Sequence, residues 1–152
     1  MDLFDWIFII SGVIFFISMI CALILMANKK MKTVLIVGVI LAVLILPIFV
    51  ILINYIVIGR DLRLKIFLSL ILLYLIVEFL LDRVFKFDFR SKPSTHIPYI
   101  ILEYAACFSF VYGVLALDRT IGWVISLFFW AMLAALIYYI IKRRRNSKQK
   151  SV

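Results

Sequence analysis

Glu103 and Glu78 are the two residues of this chain best placed to do chemistry, because each stands within a long apolar run. A carboxyl in hydrocarbon costs about 3 kcal/mol on insertion scales, so it is kept for a hydrogen-bond partner, a proton, a cation or a substrate. Helical spacing gathers other groups around both acids. Tyr74, Glu78 and Asp82 follow one another at i, i+4 on one helical face, and His96, Tyr99, Glu103 and Cys107 share a face of the next helix. Three carboxyls and an imidazole would then converge in one leaflet, with Arg83, Lys86, Arg90 and Lys92 close by. The ligand types would suit a metal, but their spacing matches no metal motif, so no metal is expected. No phosphate loop, nucleophile elbow, HExxH or cofactor motif occurs, and no cofactor is expected either.

The elements that carry these residues are membrane-length helices. The chain has 152 residues, 67% of them hydrophobic, and a mean hydropathy of +1.22. Ordinary soluble domains are nearer half apolar. The apolar runs are continuous, not alternating, which selects an all-α bundle over a barrel. Five spans are expected, at about 3–27, 34–58, 66–81, 97–117 and 121–141, followed by a basic cytoplasmic tail over 142–152. The first run is too long and too acidic at its start for a cleaved signal, so it is expected to stay in the mature protein. The third is short, and Leu62, Leu64 and snorkelling Arg63 and Lys65 must extend it. Pro47 predicts a kink in the second. The connector 82–98 alternates Phe85, Phe87 and Phe89 with charges, which places it at the lipid headgroups if extended.

Five spans put Lys29, Lys30, Lys32, the connector's basic residues and the whole tail on one side. Arg60, Arg63, Lys65 and Arg119 fall on the other. The positive-inside rule then places the N-terminus outside and the C-terminus in the cytoplasm of a multi-pass cell-membrane protein. The net charge of +9 lies between and after the apolar runs, which argues against a nucleic-acid partner. Lys142, Arg143, Arg144 and Arg145 are expected to anchor the tail and attract anionic membrane lipid. Cys21 and Cys107 read as small packing residues, and Arg60 with Asp61 as a local pair.

Ala105, Ser109 and Gly113 make a small-residue stripe on the fourth span, pointing nearly opposite to Glu103. That span therefore needs cover on both sides, as the central helix or at a homo-oligomer contact. Ala131, Ala134 and Ala135 of the fifth span would leave room beside the carboxyl. The leading functional expectation is a small membrane protein acting by association, as a homo-oligomer or a subunit of a membrane complex, with an acidic pocket in the cytoplasmic leaflet. A proton- or cation-coupled transporter or channel using Glu78 and Glu103 is the alternative. A membrane enzyme acting on a lipid-soluble substrate through Glu103, His96 and Asp82 is the third.

Overall fold

The first helix, α1 (Leu3–Ala27), begins where Asp5 reaches back to accept the backbone N–H of Asp2 at 2.8 Å. Acidic groups at this end also complement the helix dipole. It ends at Asn28, whose side-chain amide donates to the Ile24 carbonyl. The computed structural model describes residues 1–28, 30–81 and 93–149, and within these not the side chains of 31, 93–97, 143, 144 and 146–149.

The second apolar run forms two successive helices, α2 (Met31–Val43) and α3 (Ile45–Val57), parted at Leu44. Pro47 is the cause: it offers no N–H to the Val43 carbonyl and its ring crowds that oxygen. The kink expected at the proline thus falls three residues before it. At the far end Gly59 takes the left-handed conformation, φ 74°, and Arg60 N–H closes on the Tyr55 carbonyl at 3.0 Å. This helix stop suits glycine and sets where Arg60 points.

Asp61 then caps α4 (Leu62–Phe79) by accepting Arg63 N–H. The fourth run starts earlier than its hydropathy indicates: α5 (Pro93–Leu117) opens on Pro93, a residue pre-set for the first helical position. His96 therefore lies in the first turn, not ahead of the helix. One residue, Asp118, separates α5 from α6 (Arg119–Gln149), and its carboxylate caps α6 by accepting Ile121 N–H at 2.9 Å. The basic stretch expected as a separate tail continues α6 through Gln149.

Leu3–Ala27, Lys32–Val57, Pro98–Leu117 and Arg119–Lys142 are long and apolar enough to cross a membrane. The 18 residues of α4 include Arg63, Lys65 and Glu78, and it is not among them. No strand occurs among the described residues. The described part of the chain is all-helical, with the build of a multi-pass membrane protein.

The core is aromatic. Phe8, Phe15, Phe16 and Phe110 are fully buried, with Phe110 5.5 Å from Phe8 and 4.9 Å from Phe15 between ring centres. Such pairs add to the area they bury. Gly12 lies against Phe110 and Gly113 against Phe8, so the small-residue stripe of α5 seats α1. The most enclosed helix is α1, packed on α2, α3, α5 and α6, whereas α5 is covered by α1, α4 and α6.

Candidate functional site

Glu78 stands on the last turn of α4 and is buried. Tyr99, six residues beyond Pro93 on the antiparallel α5, donates its hydroxyl proton to Glu78 Oε2. The Tyr74 hydroxyl lies 3.2 Å from that of Tyr99. A phenol has one proton, and Tyr99 has committed its own to the carboxylate, so Tyr74 donates in this pair. A 3.7 Å contact with Met19 Sδ is the weaker alternative for the same proton. Tyr74, Tyr99 and Glu78 thus form an ordered line of hydroxyls ending on a carboxylate, in a layer where Tyr74 is wholly buried. A hydrogen bond in such low dielectric is strong, and a broken one correspondingly expensive.

Glu103, one helical turn beyond Tyr99, is half-buried and faces the same space. That space is a cavity of about 150 Å³ enclosed by α1, α2, α4, α5 and α6. Its polar wall is made by Glu78, Glu103, Tyr99, Tyr104 and Tyr139. The remainder is aliphatic or thioether, including Met19, Met26 and Met132. Every lining residue lies in the half of the bundle nearest the C-terminal end of α1 and the start of α2. Two carboxyls from neighbouring helices can hold a proton between them or balance a positive guest.

The structure therefore brings together four of the six pocket residues expected from sequence, Tyr74, Glu78, Tyr99 and Glu103. Asp82, the His96 side chain, Arg83 and the phenylalanine-rich connector lie outside the described residues. The α6 wall differs from expectation. Met132, Leu136 and Tyr139 line the cavity, while Ala131 and Ala134 face outward and only Ala135 is buried. Ser109 bonds back to the Ala105 carbonyl at 2.7 Å, as serines inside helices do. Cys107 is buried with its Sγ 3.8 Å from Met132 Sδ, a packing contact behind the cavity wall. No group of three or more His, Cys, Asp or Glu among the described residues could hold a metal ion.

A second polar cluster, at the opposite end, has no counterpart in the sequence expectations. Asp5 is 1% exposed. It accepts a 2.5 Å hydrogen bond from Tyr55 and a 3.1 Å ion pair from Arg60, which also reaches Asp2 at 2.6 Å. Arg60 pairs across more than fifty residues and not with adjacent Asp61, because Asp61 is already engaged as the cap of α4. The Asp5 carboxylate holds the Arg60 guanidinium above its ordinary pKa. A pairing between residues so far apart carries no periodic signal, although an acid at the mouth of an apolar run is itself a cue.

Lys142, expected at anionic lipid, is engaged within the chain: its Nζ donates to Asn28 Oδ1 at 2.5 Å and to the Tyr138 hydroxyl at 3.1 Å. Arg145 is exposed, and the Arg143 and Arg144 side chains lie outside the described residues. No protein-family model, characterised protein or solved structure matches this chain.

Proposed function

We propose that this chain is a five-pass protein of the cell membrane, N-terminus outside and C-terminus cytoplasmic, that binds a proton or small cation between Glu78 and Glu103. It would move that cation as a transporter or as part of a channel. The observation that carries the reading is the meeting of two carboxyls, borne by α4 and α5, on one cavity of about 150 Å³. The orientation rests on the concentration of Lys and Arg at the cavity end of the helices. The fifth crossing rests on the antiparallel packing of α4 between α3 and α5, with Arg63 and Lys65 within reach of one interface. Lys142, Arg143, Arg144 and Arg145 are the residues proposed to meet anionic lipid.

The case for association rests on the need to cover Glu103 on the side away from the small-residue stripe. Walls from α1, α2 and α6 supply that cover inside a single chain, so an oligomer is not required by Glu103, and binding in the pocket takes precedence. The test is flux in proteoliposomes. Glu103→Gln keeps the shape and hydrogen-bonding capacity of the side chain but removes its charge. Proton or monovalent-cation flux should collapse in this variant while its elution profile stays the same. Equal flux per folded molecule in the variant and the native protein overturns the proposal.

A further inference from the structure

The cavity selects among cations. A hard metal ion exchanges its hydration shell for six or more oxygen ligands. The cavity wall offers two carboxyls and three phenols, and otherwise hydrocarbon and sulfur. No three-residue metal group exists among the described residues. A guest suited to this wall carries its positive charge under an apolar skin and gives up little water on entering. An apolar cavity of about 150 Å³ in another protein takes up a benzene-sized molecule, so the guest has only a handful of carbon atoms.

We infer that the guest is a small alkylated ammonium ion, of which tetramethylammonium is the simplest member. The inference rests on the cation-pocket reading above and narrows it to one chemical class. Glu78 and Glu103 supply the counter-charge on one side. Tyr99, Tyr104 and Tyr139 supply aromatic rings, whose faces attract N-methyl groups. Met19, Met26 and Met132 account for three of the five methionines in the chain and all reach this one space. Their unbranched, polarizable side chains adapt to guests of differing shape. Exposed Lys30 and Lys32 at this end of the bundle do not cancel the attraction. Charges in water are screened over roughly 8 Å at physiological salt, whereas a carboxylate touching the guest acts through a poorly screening interior.

Gly38 allows a test that leaves the acids untouched. Val34, Val37, Gly38 and Leu41 form the α2 face on the cavity, and a Cβ added to Gly38 meets nothing within 4 Å. A leucine there grows into the space the guest needs. The experiment measures binding of radiolabelled tetramethylammonium, and of tetrabutylammonium as a size control, to the full chain in lipid nanodiscs. Cation flux is followed in proteoliposomes of the same preparations.

The expected result is saturable tetramethylammonium binding, at least about tenfold weaker in Glu103→Gln and in Gly38→Leu, with tetrabutylammonium excluded. Binding that persists unchanged in both variants, or that admits both ions alike, overturns the inference, since the site is then elsewhere. The size comparison uses the native chain and stands even where a variant fails to fold. Absence of tetramethylammonium binding alongside Glu103-dependent proton or cation flux overturns the guest class and leaves the pocket reading in place. Absence of both overturns the two together.

Discussion

The two ends of the bundle use the same pair of groups, a carboxylate and a tyrosine hydroxyl from different helices, to opposite effect. At one end Tyr55 and Arg60 close on Asp5, with Asp2 beside them. Nearby, α5 turns into α6 through a single residue, so tightly that a Cβ on Gly122 would lie 2.7 Å from the Leu115 Cα. At the other end Tyr99 closes on Glu78, but the acids face a hollow, and Gly38 in its wall has open space beside it. Asp5 has a fixed cation packed on it, whereas Glu78 and Glu103 border open space. Asp5 and Glu78 are both buried, so what separates the two ends is the neighbouring space.

The glycines offer the largest test of this contrast. Gly122→Ala forces backbone against backbone and should destabilise the chain by about 3 kcal/mol, the upper part of the usual overpacking range. Its thermal unfolding midpoint in detergent should fall accordingly. Gly38→Ala, by contrast, should leave the midpoint unchanged or raise it, because alanine gains up to about 1 kcal/mol of helix propensity without a clash. Comparable losses in both variants would erase the difference between the ends.

Asp5→Ala comes next. It strands Tyr55 and leaves Arg60 with Asp2 alone. Breaking a fully buried pair costs about 3 to 5 kcal/mol. Arg60 is 31% exposed by side chain, so about 2 kcal/mol is the expected loss, read as denaturant midpoint in mixed micelles. Binding in the cavity at the far end should be unaffected. Tyr99→Phe removes the hydrogen bond to Glu78 and strands the buried Tyr74 hydroxyl, and should cost about 2 kcal/mol, together with weakened binding. Lys142→Ala, at an exposed contact with Asn28, should change stability by less than about 1 kcal/mol. Its effect should appear as faster amide exchange at the end of α6.

Much of the cavity end was legible in the sequence, because a helix repeats: Tyr74 with Glu78 and Tyr99 with Glu103 announce shared faces by spacing alone. The stripe ending at Gly113 likewise foretold a close approach, although not that Phe8 of α1 would fill it. Helix ends were harder to read. Hydropathy places the start of α5 at 97, where apolar residues begin, while the backbone starts at Pro93 for reasons of dihedral geometry. The run from Lys142 onward reads as a tail by charge, yet Lys, Arg and Gln are good helix formers and α6 continues through them. The Asp5–Arg60 contact was not legible at all. Adjacency suggested Asp61 as the partner, and only the fold brings α1 and the Gly59 turn together.

The central claim is that Asp5 holds the fold while Glu103 serves a guest. Paired measurement of the thermal midpoint and of cation flux per folded molecule, in Asp5→Asn and Glu103→Gln, tests it most directly. The account predicts a lowered midpoint with intact flux for Asp5→Asn, and an unchanged midpoint with abolished flux for Glu103→Gln. A Glu103→Gln protein that unfolds early yet transports normally would contradict it.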